Sequence, residues 1–360
     1  MSVASMVSTG IAATLVATLA ACAPPPPPAP PLIDRLGLDG LVRAVEDGDH
    51  GEIAAILVSR DGRIVFEDYF GRNGPDSIVD MRSAGKSLTA IAVGVAIDDG
   101  VIDGVESPVL PFFEDLAPFR NDGPEKRAIV LRDLLTMGSA LDCNDWDDRS
   151  PGQEERMYRS RNWTSFALGL PVDPDFSRSR TGQGRFSYCT AGVFLAGQTL
   201  ERATGERFDT FVGHRILAPL GIRNVRWRRS PDGEVQSGGQ LGLRARDAER
   251  IGRLVLNGGT WEGRRIVSEA WIAEMLPPVA RPGAGLGYGY LWWQAEIRAG
   301  ASGETVAAAM MIGNGGNIVA VVPERDAVIV VQATNYNVPG DFDMSRALLQ
   351  RFIVPALAEN

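Results

Sequence analysis

AAILVSRDGRIVFEDYF, residues 54–70, decides the reading of the fold. Two runs rich in β-branched and aromatic residues flank Asp61-Gly62, a two-residue connection with strong hairpin preference. Upstream, residues 34 to 47 read as a helix, and downstream a helix runs from about Ser83 to Asp99. The middle of the chain, roughly 100 to 225, is helical and loop-rich, with helical apolar spacing over Leu131–Met137 and Val193–Ala203. Strand character returns at Asn317–Val322 and Ala327–Gln332, separated by Pro323-Glu324-Arg325-Asp326, a second hairpin with proline at its turn. A last helix covers about Met344 to Ala356. Strands at both ends and helices between imply an α+β fold. One antiparallel sheet joins the two hairpins and is flanked by helices, and a mostly helical lobe leaves a cleft beside it.

Composition narrows the function. The chain has 360 residues, 44% hydrophobic, enough for a large core. Its net charge of −9, with no dense run of Lys and Arg, argues against nucleic acid as a partner. The only histidines, His50 and His214, share no short ligand spacing, so no metal and no cofactor is expected. His214 lies in FVGHRILAPL and reads as a helix end packed on a core, which leaves a Ser-His-Asp triad without a natural base.

The catalytic candidates begin at Ser83-Ala84-Gly85-Lys86. A spacing of three puts the hydroxyl and the amine on one helix face. A serine hydroxyl needs a base beside it to act as nucleophile, and a buried lysine can be neutral enough to serve. The helix start also places a backbone N–H where an oxyanion would form. Taken alone, the motif also fits a helix start with a solvated lysine.

Context selects between these readings. Met81-Arg82-Ser83-Ala84-Gly85-Lys86-Ser87-Leu88-Thr89 resembles the nucleophile segment of the serine β-lactamase-related hydrolases, which include class C β-lactamases, esterases and 6-aminohexanoate-dimer hydrolases. Phe186-Ser187-Tyr188-Cys189-Thr190 is similar to the Tyr-x-Asn segment of that family, whose tyrosine passes a proton between nucleophile, lysine and leaving group. Thr190 stands where asparagine is usual. The resemblance implies a third element at Gly313-Asn314-Gly315-Gly316-Asn317, before an apolar strand. Gly315, Gly316 and Asn317 are the residues expected at the substrate there, with an N–H of Gly316 or Asn317 completing an oxyanion hole with that of Ser83. No Lys or His occupies this element, which points away from an efficient β-lactamase and toward an esterase or amidase. The segment Ile129–Ser139, the glycine-rich Gly238–Asp247 and the strand-like Tyr288–Trp293 resemble further parts of the family. The fold implied is the β-lactamase/penicillin-binding-protein type.

The N-terminus reads as an export signal. Residues 1–21 contain a short apolar run ending in Leu19-Ala20-Ala21-Cys22, which resembles a bacterial lipobox with Cys22 acylated. Residues 22–33 are a proline-rich spacer, extended and unable to build a core. The hydrolase domain is 34–360. The expected location is the cell envelope, on the periplasmic side, lipid-anchored or secreted, with the membrane as partner through the anchor. In that compartment Cys143 and Cys189 are expected to pair, the alternative being two buried free thiols. The acidic aromatic stretch Leu141–Tyr158 carries Asp142, Asp145, Asp147 and Asp148, lacks EF-hand spacing and reads as a solvated lid. Trp146 and Trp163 are candidates for the substrate entrance or for the core.

The expected reaction is cleavage of an ester or amide in a small molecule or peptide, through an acyl-enzyme on Ser83 with Lys86 and Tyr188 moving protons. The alternative is a penicillin-binding or D-peptide-recognising protein, either a carboxypeptidase or a sensor that acylates without turnover.

Overall fold

In the computed structural model, residues 1, 35–283, 285–300 and 303–358 are described. The signal, lipobox and spacer expected over residues 2–33 lie outside them. Contacts divide the chain into Met1–Pro30 and Pro31–Asn360, and every element below belongs to the second unit.

Its centre is an eight-stranded antiparallel sheet. The strands are β1 (Ile53–Arg60), β2 (Arg63–Tyr69), β3 (Ala280–Gly283), β4 (Leu286–Tyr288), β5 (Trp293–Arg298), β6 (Thr305–Gly313), β7 (Asn317–Val322) and β8 (Ala327–Ala333). Their spatial order is β2-β1-β8-β7-β6-β5-β4-β3. Both expected hairpins form. Asp61 and Gly62 turn at φ 49° and 71°, the doubly positive geometry that suits the strand twist. The two hairpins join where β1 pairs with β8, from Ile53 opposite Ala333 to Arg60 opposite Ala327. Strands β7 and β8 are buried along their whole length, so they read as continuous apolar runs rather than alternating ones.

Helices cover the sheet. Helix α1 (Arg35–Glu46) packs with the C-terminal helical turn Leu349–Ile353. The expected last helix is in fact helix α5 (Asp341–Leu348) followed by that wider turn and Val354–Ala358. Helix α4 (Ala245–Leu256) lies across β1, β7 and β8. A Cβ on its Gly252 would stand 2.6 Å from Val328, so the missing side chain lets helix and sheet touch.

The functional core is helix α2 (Lys86–Asp98), preceded by a tight 3-10 turn over Arg82–Gly85. Residues 86 to 96 of α2 are all buried, as its apolar composition on every side requires. It packs on helix α3 (Thr190–Thr204), and the turn ahead of it packs on β6 and β7. Between residues 100 and 225 no strand of the large sheet occurs, and short helices such as Leu131–Leu135, Glu154–Arg159 and Trp163–Leu168 form the expected helical region. Tyr288–Trp293, expected as a strand, is interrupted. The chain leaves β4 at Gly289 and turns at Leu291, with φ 58°, before β5 starts.

Gly94 marks how tightly α2 is held. A Cβ there would lie 2.2 Å from the Trp271 ring, whose Nε1 donates to Ala90 O at 3.1 Å. Gly94→Val is therefore expected to destabilise the fold by about 1–3 kcal/mol, the usual cost of overpacking. Urea unfolding monitored by tryptophan fluorescence checks it.

Candidate active site

The turn Arg82–Gly85 delivers Ser83 to the junction of the sheet and the helical region. Arg82 takes φ 50°, and its carbonyl accepts from Gln240 N at 2.9 Å. One helical turn on, Lys86 is 1% exposed and its Nζ touches three oxygens. It lies 3.1 Å from Ser83 Oγ, 2.8 Å from Thr190 Oγ1 and 2.6 Å from Gly238 O. Neighbouring polar residues of α2 secure the surrounding loops. Ser87 Oγ donates to Leu291 O at 2.6 Å and Thr89 Oγ1 to Ser237 O at 2.6 Å. Tyr188 is buried, and burial is the main force raising its phenol above the ordinary value; Lys86 and a hydrogen bond with Ser83 oppose the rise. Its ring lies 5.1 Å from Lys86 Nζ. Ser83, Lys86 and Tyr188, drawn from two distant stretches of chain, thus meet at one point.

The third element departs from expectation. Gly315 and Gly316 have φ 92° and 88° and form the β6–β7 hairpin turn. The Gly315 N–H is taken by Asp341 Oδ2, and Gly316 O accepts from Ser345 Oγ at 2.7 Å. Asn317 side-chain Oδ1 accepts from Ala333 N at 3.2 Å, and its Nδ2 donates to Asn314 O at 3.0 Å. The residue that meets the nucleophile turn is instead Gly313, where a Cβ would stand 2.0 Å from Met81 O and 3.0 Å from Ala84 N. Three glycines within four residues hid the division of labour: one permits close approach, two permit the turn.

The acidic stretch is also not simply a solvated lid. Cys143 and Cys189 form a disulfide with Cα atoms 5.3 Å apart, fastening this stretch to the Tyr188 segment. Asp145 N donates to Tyr188 O at 2.8 Å, and Asp145 Oδ2 accepts from Thr190 N at 2.7 Å. Glu154 Oε2 accepts from Thr190 Oγ1 at 3.1 Å and from the Tyr158 hydroxyl at 2.9 Å. Burial first, then repulsion from Glu154, pushes the Asp145 carboxyl up to about 6, against the attraction of Lys86. No period or spacing in the sequence distinguished Asp145 and Glu154 from their exposed neighbours.

Of the two tryptophans, Trp163 is core, 1% exposed, whereas Trp146 is 63% exposed and stacks on Tyr188 with centroids 5.0 Å apart. Tyr188 also stacks on Trp293 at 6.1 Å, and Tyr288 meets Trp293 edge-on at 4.7 Å. The result is an aromatic wall over the tyrosine with one exposed face, that of Trp146. The histidines take no part in this cluster. His50 is buried with Nδ1 2.9 Å from Met344 O, and His214, expected to pack on the core, has a side chain 71% exposed beside Glu206. Among the described residues no group of His, Cys, Asp or Glu is arranged to hold a metal ion.

Comparison with known proteins gives the family and the fold. Residues 38–354 match the Beta-lactamase family. The chain is 32% identical over 228 residues to the 6-aminohexanoate-dimer hydrolase of Paenarthrobacter ureafaciens, covering 62% of this chain and 56% of that one. It is 25% identical over 207 residues to the lovastatin esterase of Penicillium rubens, covering 51% and 48%. The matches thus span about half the length of these curated relatives. In fold it is similar to the simvastatin synthase of Aspergillus terreus, with TM-score 0.68, 18% identity and 91% and 98% of the two chains covered.

The raised Asp145 carboxyl has a consequence for stability. The folded state binds this proton more tightly than the unfolded chain, at about 6 against 3.8. The contribution is fully present below about pH 4 and is lost as pH rises through 6. Asp145→Asn removes the titration. Between pH 4 and 7 the wild type is expected to lose stability relative to this variant by on the order of 3 kcal/mol, from the size of the shift. Urea unfolding of both proteins at the two pH values checks it.

Proposed function

We propose a specific reaction for this chain, which belongs to the Beta-lactamase family and is a serine hydrolase of esterase/amidase type: it cleaves a small ester or amide through an acyl-enzyme on Ser83. The observation that carries the proposal is the 3.1 Å contact between Ser83 Oγ and Lys86 Nζ, with the Tyr188 ring 5.1 Å from the same amine.

In this mechanism Ser83 Oγ attacks the substrate carbonyl as its proton passes to Lys86 Nζ. The tetrahedral oxyanion is held by the Ser83 N–H and by the strand end beyond Gly313, which lies against the nucleophile turn. Collapse of the intermediate breaks the bond to the alcohol or amine, which receives a proton relayed from Lys86 through Tyr188. Water then attacks the acyl-enzyme, gives up a proton along the same path and releases the acid with Ser83 restored. The wall of Trp146, Tyr188 and Trp293 favours an apolar group on the substrate. The relatives named as a dimer hydrolase and an esterase support the same class of small amides and esters. A protein that acylates without turnover is the competing proposal. Tyr188 at the serine favours turnover, since it supplies a path for the deacylating proton.

We also propose that the chain is exported and anchored by lipid on Cys22. The lipobox-like Leu19-Ala20-Ala21-Cys22 and the proline spacer carry this reading. The Cys143–Cys189 disulfide, which needs an oxidising compartment, is consistent with it. No helix among the described residues is long and apolar enough to cross a membrane.

Two tests address these proposals. Ser83→Ala is expected to abolish fluorophosphonate labelling and p-nitrophenyl ester turnover, and Lys86→Ala and Tyr188→Phe each to lower kcat by about 10²-fold or more. Labelling of the wild type without turnover would leave the sensor reading standing. Fractionation of cells is expected to place the wild type with membranes and Cys22→Ser in the soluble fraction. A soluble wild type whose N-terminus is not Cys22 overturns the anchor.

A further inference from the structure

We infer that Thr190 and Glu154 form a positioning pair that sets the direction of the hydrogen bond between Ser83 and Lys86. The inference rests on the reading of Lys86 as the base and adds what aims it.

The argument is a count of hydrogens. Lys86 Nζ has three oxygen neighbours and is shut off from solvent. Gly238 O is a carbonyl, so it can only accept, and at 2.6 Å it takes one N–H. Thr190 Oγ1 has a single hydrogen. It lies 3.1 Å from Glu154 Oε2, and a carboxylate can only accept, so that hydrogen goes to Glu154. The threonine oxygen then offers only a lone pair to Lys86 and takes a second N–H at 2.8 Å. A neutral amine has two N–H bonds and one lone pair. Both N–H bonds are now committed, so the lone pair faces Ser83 Oγ, and the serine must donate. This is the arrangement proton abstraction requires.

The same cage accepts the product of that step. When the proton moves from Ser83 Oγ to Lys86 Nζ, the O–H bond breaks, a third N–H forms, and the ammonium finds three acceptors already in place. No side chain has to turn. Without the carboxylate, the threonine hydroxyl could donate to the amine. An N–H would then point at Ser83 and the lone pair would be spent on Thr190.

The pair is itself held. The Tyr158 hydroxyl donates to Glu154 Oε2 at 2.9 Å, and the Arg228 guanidinium lies 4.0 Å over the Tyr158 ring while donating to Gln240, two residues beyond Gly238. Asp145 grips the Thr190 N–H at 2.7 Å, and the neighbouring Cys189 is bonded to Cys143. Threonine at position 190 is therefore matched to a glutamate reaching over from the acidic stretch, and the two work as one unit.

The test is steady-state turnover of p-nitrophenyl butyrate by the full chain. Thr190→Val and Glu154→Leu are each expected to lower kcat by about 10-fold or more with KM changed less than about 3-fold, the pattern of an interaction used in the chemical step. Thr190→Ser, which keeps the hydroxyl, recovers most of the loss. The double variant is no slower than the worse single one, because either change releases the same hydrogen bond. Should Thr190→Val fail to fold, Glu154→Leu and Glu154→Ala, neither of which can accept a hydrogen bond, carry the same decision. Activity within 2-fold of wild type in the Glu154 variants, or losses that multiply in the double variant, overturns the pair. Lys86→Ala separates the two levels. If it is as active as wild type, the base reading itself fails. If it is inactive while the Thr190 and Glu154 variants are not, only the positioning pair fails.

Discussion

A lysine amine sealed from water constrains this molecule more than any other group. An amine that deep is tolerated only where every hydrogen finds an acceptor, and removing one partner of such a group costs several kcal/mol. Lys86 obtains its polar partners from three separate segments: the turn carrying Ser83, the start of α3 at Thr190 and the glycine loop at Gly238. Satisfying the amine therefore fixes the relative positions of those segments. The meeting of Ser83, Lys86 and Thr190 is thus tied to the burial of one amine.

The second constraint is closeness of backbones. A Cβ on Gly313 would stand 2.0 Å from Met81 O, and one on Gly239 would stand 3.0 Å from Arg82 O. Together they press the nucleophile turn onto the strand end on one side and the glycine loop on the other. The disulfide adds a clamp from the opposite direction, holding Asp145 and Tyr188 in one block. A site framed by backbone tolerates little movement, and that suits a reaction whose barrier is lowered mainly by preorganised donors.

The elements most legible in the sequence were those whose signals are local. Asp61-Gly62 announced its hairpin because the turn geometry is intrinsic to those two residues, and Ser83-x-x-Lys86 announced its pairing because helix spacing is fixed. Tyr188 and the Cys143–Cys189 bridge followed from motif order and from the scarcity of cysteine. What stayed hidden depends on burial that only the assembled fold creates. Asp145 and Glu154 look like their exposed neighbours Asp148 and Glu155 until the chain folds over Thr190. The glycines of residues 313–316 are chemically identical, and only the register of β6 with β7, Gly313 opposite Asn317, decides which lies against Met81 and Ala84 on either side of Ser83's turn. His214 is exposed despite its apolar sequence neighbours because Val212 and Ile216 turn inward while its own ring does not.

The pairing of β1 with β8 bears on the order in which the protein can form. Position 53 meets position 333, so the sheet that supports Ser83 is closed by contacts between nearly opposite ends of the domain. Such long loops carry a large closure entropy and slow the search for the native pairing. Ser83 and Lys86 leave the ribosome long before the strands that begin at Thr305 and Asn317, against which their segment packs, have been made. The turn that carries Ser83 thus lacks the strands it packs on throughout most of synthesis, because they lie in the last sixth of the chain.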